Sequence, residues 1–299
     1  MLGAGGVGGL VAGALARAGA EVVIILRPPT LARYPGRLRV ESAVLGEFEV
    51  EVAAVSRLDR PVDVLWVAVK ATQLETALKA APPASAAGAV VVPLLNGIDH
   101  VARLRRVYGE VVIPAAVRVE SERVATARIV QSSPFVTLTL APPAGLRDRA
   151  LDLADEVRAA GLDCELGEDE GQVLWGKLAM LAPLALATSA AQRPLEGVRA
   201  DPELRALMLG CAREVCAVAA AEGVGLDPER SLGLLLEMPG EMRSSMQKDL
   251  AAGRPTELDA IAGPILRRGA EHGLSTPATA ELAARVARRE RAGLGRRCR

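Results

Sequence analysis

With 299 residues the chain is long enough to bury a large core and to form two domains. Half of the residues are hydrophobic and 24% are charged, and 36 basic residues balance 36 acidic ones. A neutral balance gives no general attraction to nucleic acid or to an anionic membrane surface. No apolar run is read as a membrane span, and the motif at the start leaves no room for a signal peptide, so a cytoplasmic protein is expected.

The chain opens Met1-Leu-Gly-Ala-Gly-Gly-Val-Gly8, with Gly3, Gly5 and Gly8 in the G-x-G-x-x-G spacing of a Rossmann dinucleotide-binding turn. In such a turn the first glycine permits the tight bend. The second lets the backbone approach a pyrophosphate, and the third lets the following helix pack on the sheet. Gly6, within the same loop, is read with them as a cofactor-binding residue. The motif should follow a strand, yet only Met1 and Leu2 precede it, so the first strand is expected to be truncated. A sheet lacking that strand would expose two inner edges, and the true start is expected several residues upstream.

A helix from Gly8 to Arg17, ended by Gly19, leads to a continuous β-branched run at 21–26. Further buried-strand runs follow at 62–69 and 89–95, with a helix-like stretch at 73–81 and a break at Pro82-Pro83. Another helix fits 99–108, then a strand from Val111, and 129–140 reads as strand at the sheet edge. Strands alternating with helices predict a doubly wound parallel sheet.

Beyond about Asp163 no strand is read, and helix-start signals recur. Asp201-Pro202-Glu203 and Asp227-Pro228-Glu229 each combine an N-cap, a first-turn proline and a carboxylate. Thr256 and Asp259 form a capping-box-like pair for a helix beginning at Glu257, and Pro277 opens a last helix that fades into the tail Arg296-Arg-Cys298-Arg299. The fold class is therefore α/β, with a Rossmann-type domain over 1–167 and an all-α domain over 168–299.

Cys164, Cys211, Cys216 and Cys298, with His100 and His272, show no ligand spacing, so no metal site and no disulfide framework is expected. Cofactor choice is read at the end of the second Rossmann strand. A carboxylate there serves the ribose 2′-hydroxyl of NAD, and an arginine serves the 2′-phosphate of NADP. This chain carries Arg27 and no carboxylate at that position, which favours NADP(H). Only four of the 36 basic residues are lysines, namely Lys70, Lys79, Lys177 and Lys248. A lysine can deliver a proton near neutral pH once desolvated, whereas an arginine cannot.

Several stretches together carry a family resemblance: Val69-Lys70-Ala-Thr-Gln73, Leu95-Asn96-Gly97, Leu174-Trp175-Gly-Lys177-Leu178, and Ser244-Ser245-Met-Gln-Lys-Asp249 with Thr256-Glu257-Leu-Asp259. With the glycine loop, the whole chain resembles the ketopantoate reductases (2-dehydropantoate 2-reductases). The resemblance implies NADPH on the N-terminal sheet, with its nicotinamide facing a cleft between domains, and reduction of a 2-oxo acid, by default ketopantoate to pantoate in pantothenate biosynthesis. It places the general acid at Lys177, the active-site glutamate at Glu257 and the substrate-binding serine at Ser245. Lys70 and Asn96 match residues lining the cofactor and substrate side, with Gln73 a weaker match, and a homodimer through the helical domain is implied.

The chain departs from the family at Leu181, Ala185 and Leu195, where the resemblance would supply asparagines. A site built on hydrogen bonds discriminates strongly for them, so their loss points to a change of substrate preference. Two alternatives stand beside ketopantoate reduction: a less polar carbonyl substrate, and a non-catalytic NADP(H)-binding protein.

Overall fold

The computed structural model describes the backbone of residues 1–297 and the side chains of residues 1–293. The chain forms two units, one from Met1–Leu95 and His100–Val173, the other from Asn96–Asp99 and Leu174–Arg299.

In the first unit, helix α1 (Gly6–Arg17) leads to strand β1 (Val23–Ile25) and a single turn, α2 (Pro28–Leu31). Strands β2 (Arg37–Ser42) and β3 (Gly46–Glu51) form a hairpin, followed by β4 (Ala53–Val55) and β5 (Val64–Val67). Helix α3 (Leu74–Leu78) and strand β6 (Val90–Pro93) come next, then α4 (His100–Tyr108) and β7 (Ala115–Arg118). Strands β8 (Ser121–Ala125), β9 (Arg128–Gln131) and β10 (Thr137–Leu140), helix α5 (Arg147–Ala159) and strand β11 (Asp163–Leu166) complete it.

Met1–Gly3 hold the centre of the parallel sheet. Leu2 bridges Ile25 on one side and Val67 on the other. The Leu2 amide donates to Trp66 O at 2.7 Å, and its carbonyl accepts from Ala68 N at 2.9 Å. On the other side Ile25 N donates to Met1 O at 2.8 Å and Gly3 N to Ile25 O at 3.3 Å. With β4 pairing β1, β6 pairing β5 and Val112 bridging Val91, all parallel, the order is β4, β1, Leu2, β5, β6, Val112. That is the strand order of a dinucleotide-binding sheet. The exposed inner edges expected of a truncated first strand do not occur, because β1 and β5 are themselves only three and four residues long and three residues suffice to join them.

A second sheet, ordered β3-β2-β9-β8, lies against α1. The glycines of α1 explain how closely it lies. A Cβ on Gly9 would stand 2.5 Å from Ile129 Cδ1, one on Gly13 2.9 Å from Val40 Cγ2, and one on Gly6 2.1 Å from the Ser121 carbonyl oxygen. Positions 6, 9 and 13 share one helical face, so this glycine stripe is a packing surface. The third sheet, β11-β10-β7, joins β10 to β11 in parallel and to β7 antiparallel.

The structure differs from the sequence reading in several places. The run 129–140 is two strands in different sheets, parted where Gln131 Nε2 donates to Ser133 Oγ at 2.9 Å ahead of Pro134. The helix expected over 73–81 is confined to α3, since the Ala80 carbonyl accepts from Leu58 N at 2.8 Å instead of extending a helix. Strand β11 begins at Asp163, where no further strand was read, because a four-residue alternation is too short to stand out. The β2–β3 hairpin has a clear period of two, with Leu38 and Val40 buried, and was legible though not read.

The second unit is helical: α6 (Glu170–Ala191), α7 (Leu195–Arg199), α8 (Pro202–Ala221), α9 (Pro228–Glu237), α10 (Ser245–Ala251), α11 (Leu258–Glu271) and α12 (Pro277–Arg297). Asp201 caps α8 by accepting from Glu203 N and Leu204 N, and Asp227 caps α9 in the same way. The capping box at Thr256 does not form. Helix α11 begins at Leu258, Thr256 N donates to Glu290 Oε1 at 2.8 Å, and Glu257 occupies the cap position without capping.

Helix α6, at 22 residues, is long and apolar enough to cross a membrane by length and composition, although the sequence reading saw no such run. Gly176, Lys177 and Pro183 interrupt its apolar pattern, and its buried residues run from Leu174 to Ala190, which makes it a core helix of this unit.

Cys164, Cys211 and Cys216 are free and buried. Burial pushes the Cys211 thiol up to about 12 and the Cys164 thiol up to about 11, which keeps both as inert thiols at neutral pH. Cys298 lies outside the described residues. Among the described residues no cluster of potential metal ligands occurs.

The start of α12 depends on a distant carboxylate. Glu214 in α8 accepts from Ala278 N at 2.7 Å, Thr279 N at 2.8 Å and Thr279 Oγ1 at 2.6 Å. Hydrogen bonds to a charged group contribute about 1.5–3 kcal/mol each when their partner would otherwise be left unsatisfied. Glu214→Ala removes all three and is expected to destabilise the protein by at least about 3 kcal/mol, measured as a lower urea midpoint with an unchanged slope.

Candidate active site

One group of candidate residues lies at the carboxyl ends of the parallel strands in the first unit, where ligands bind in sheets of this kind. Gly3 follows Leu2 directly and takes φ +93°, a left-handed conformation that glycine adopts without strain. A Cβ there would stand 2.7 Å from Val69 Cγ1, so the first loop and the loop after β5 are in contact. Gly8 is tighter: its Cβ would fall 2.2 Å from the Gly3 carbonyl oxygen and 2.7 Å from Ala68 Cβ.

Gly5 is different. It is the N-cap residue of α1, and among the described residues no atom comes within 4 Å of where its Cβ would be. No described side chain caps α1, and its first turn carries no acidic residue. A twelve-residue helix whose first amides lack a side-chain cap, opening on space beside a bare glycine, suits a pyrophosphate. The residues present fit a dinucleotide.

Arg27 is exposed just beyond β1, where it leads into α2. Lys70 is half-buried at the end of the β5 segment, and its carbonyl starts a 3-10 turn over Ala71–Gln73. The structure thus gathers Gly3, Gly5, Gly8, Arg27 and Lys70 at one end of one sheet. Gly6 is explained by packing: its Cβ would collide with Ser121, whose hydroxyl donates to Gly6 O at 3.0 Å. The sequence reading did not connect Ser121 with the loop.

A second group of candidate residues is in the helical unit. Lys177 lies in the second turn of α6, beside the buried Leu174, Trp175 and Leu178, and its Nζ has no solvent exposure. Glu257, only 8% exposed, accepts from Asn96 Nδ2 at 3.1 Å. This pair joins residues 161 apart in sequence, and Asn96 belongs to the helical unit although it stands only three residues after the end of β6.

Ser245 is the exposed first residue of α10. Its neighbour Ser244 is the buried cap, accepting from Gln247 N at 3.1 Å and lying 3.0 Å from Thr188 Oγ1 of α6. Leu181 follows Lys177 by one helical turn on the same face and is half-buried. Ala185 and Leu195 are fully buried. The positions where asparagines would stand are thus two sealed core sites and one apolar side chain beside the lysine.

His272 pairs with Glu222 at 2.5 Å, and Arg268 reaches the same carboxylate at 3.4 Å. Arg268 also stacks on Trp175, 5.5 Å from the ring centroid.

Comparison with known proteins covers both units. Residues 1–144 match the family described as "Ketopantoate reductase PanE/ApbA", and residues 171–290 match "Ketopantoate reductase PanE/ApbA C terminal". The 2-dehydropantoate 2-reductase of Caulobacter vibrioides is 34% identical over 199 residues, which are 65% of this chain and 66% of that protein. The crystal structure of a PanE/ApbA family ketopantoate reductase from Ralstonia eutropha JMP134 shares 30% identity at a TM-score of 0.89 and covers 98% of both chains. D-mandelate dehydrogenase, solved with NADH and anilino(oxo)acetate, shares the fold at a TM-score of 0.88 with 22% identity, again over 98% of both chains.

Proposed function

Because the chain belongs to the ketopantoate reductase family and is an oxidoreductase, we propose that it reduces a 2-oxo acid to the 2-hydroxy acid with NADP(H), ketopantoate being the default substrate. The observation that carries this reading is the chemistry kept in the helical unit. A lysine nitrogen is sealed from solvent in an apolar helix, and a buried glutamate is held by an asparagine amide.

When bound, NADPH supplies the hydride that adds to C2 of the oxo acid. Lys177 Nζ donates the proton that the carbonyl oxygen takes up, and its charge stabilises the oxyanion as it develops. Glu257 fixes Asn96 and accepts a hydrogen bond from the substrate side, while Ser245 and Asn96 bind the acid. Gly3, Gly5, Gly8 and Lys70 bind the dinucleotide, and Gly6 lets their loop sit against Ser121. The same reading takes the protein as a cytoplasmic homodimer, which light scattering would check.

Arg27 decides the cofactor in this reading. A guanidinium beside the 2′-phosphate forms charge-assisted bonds that NADH cannot. Arg27→Ala is expected to raise KM for NADPH by about 10- to 100-fold, the loss of one such interaction of about 1.5–3 kcal/mol, and to leave KM for NADH unchanged. Equal effects on both cofactors would remove Arg27 from this role.

A second reading is favoured by Leu181. An apolar side chain one turn from the acid, with Ala185 and Leu195 closed into the core, presents fewer donors than a polar hydroxy-oxo acid would use. NADPH oxidation across a panel of 2-oxo acids separates the two. Ketopantoate with the highest kcat/KM supports the first reading, and a preference for 2-oxo acids with apolar side chains supports the second.

A further inference from the structure

Residues 96–99 are clipped to α11 at three points. Asn96 donates to Glu257 at 3.1 Å. Gly97, at φ +81°, lies so close that a Cβ would stand 2.1 Å from the Ala260 carbonyl oxygen. Asp99 uses both oxygens, Oδ2 accepting from Arg267 at 2.7 Å and Oδ1 from Arg268 at 3.0 Å.

Residues 257, 260, 267 and 268 fall on one face of the helix. The middle contact has a cause in the sequence. Pro264 lacks the amide that would bond the Ala260 carbonyl, so that oxygen is freed from the helical ladder and Gly97 seats on it. Arg268 ties the clip to further elements, reaching Glu222 at the end of α8 and stacking on Trp175, two residues before Lys177.

We propose that Asp99, through Arg267 and Arg268, is a positioning residue that holds Asn96 against Glu257 and sets that carboxylate for the reaction. The inference rests on the proposed role of Glu257 and goes beyond it, since Asp99 is given no contact with substrate. The three groups are only partly buried, with Asp99 at 27%, Arg268 at 26% and Arg267 at 47% exposure, so the pairs add little to global stability. Small displacements of catalytic groups nevertheless lower turnover strongly.

Asp99→Ala is expected to lower kcat about tenfold, well inside the loss that a misplacement on the order of 1 Å can cause, with KM for NADPH unchanged. Asp99→Glu should restore part of the rate. The same loss should follow from Arg268→Ala, and the double variant should be no slower than either single one. In a Glu257→Ala background, Asp99→Ala should have no further effect on kcat, which a general structural defect would not produce. Arg285→Ala, which breaks ion pairs on α12, serves as the control with unchanged kcat.

Hydrogen exchange read by mass spectrometry gives a measure independent of turnover. The peptide covering 96–99 should exchange faster in Asp99→Ala than in the wild type. Unchanged exchange together with unchanged kcat overturns the proposal, and so does a full tenfold loss in the Glu257→Ala background. If Glu257→Ala itself leaves kcat intact, the role given to Glu257 fails, and the exchange result alone decides whether Asp99 holds the segment.

Discussion

Replacing Lys177 with alanine is expected to lower kcat by about 100- to 10,000-fold, the usual contribution of a positioned general acid, while the Kd for NADPH stays unchanged. The side chain sits on the face of α6 that also carries Leu181, with its nitrogen removed from solvent. Water cannot readily substitute as the proton donor in such a place, so the loss should be near the upper end of that range. Lys177→Arg separates charge from proton delivery. Arginine preserves the cation but does not release a proton near neutral pH, so it should rescue little of the rate. A variant with full activity after Lys177→Arg would show that charge alone suffices.

The second large effect is in the glycine loop, and a pair of substitutions isolates it. Gly8→Ala places a methyl group 2.2 Å from the Gly3 carbonyl oxygen and 2.7 Å from Ala68 Cβ, and neither backbone nor Cβ can swing aside. The loop or helix must shift, with a destabilisation of about 1–3 kcal/mol as for overpacked cores, and NADPH binding should be lost with it. Gly5→Ala meets none of the described atoms within 4 Å. It should leave the melting temperature unchanged and still weaken NADPH binding by at least about tenfold, equivalent to 1.4 kcal/mol, because the methyl group occupies the space assigned to the pyrophosphate. Calorimetric titration with NADPH, beside thermal melts, reads both variants. Unaltered affinity in Gly5→Ala would mean that this space does not hold the cofactor.

Much of this was legible from residue types at fixed spacing. The glycine loop, the buried β-branched runs and the Asp-Pro-Glu helix starts each rest on local chemistry, and the structure carries all three. What escaped depends on partners distant in the chain. Thr256 resembles a cap, yet Glu290 takes its amide and Asn96 takes the glutamate that follows. Gly6 reads as a phosphate-loop glycine, and its close packing on the Ser121 carbonyl is a second reason for glycine that local sequence does not show. Strand β11 is four residues long, and only its pairing with β10 makes it a strand.

The proposed site shows the same division. Lys177 and Glu257 are proposed from motif resemblance, whereas the three-point clip of 96–99 on α11 left one local trace, a glycine followed two residues later by Asp99. Its counterpart, the proline that frees a carbonyl, lies more than 160 residues on. Neither half of that contact carries meaning alone.

The proposed reaction is transfer of a hydride from NADPH to a 2-oxo acid with Lys177 as proton donor. Its most direct test is to supply NADPH deuterated at the transferred position and analyse the 2-hydroxy acid by NMR and mass spectrometry. The wild-type protein should place one deuteron at C2 of the product, and Lys177→Ala should do so at least about 100-fold more slowly. NADPH bound without deuterium in any hydroxy acid, or equal transfer by both proteins, would contradict the account.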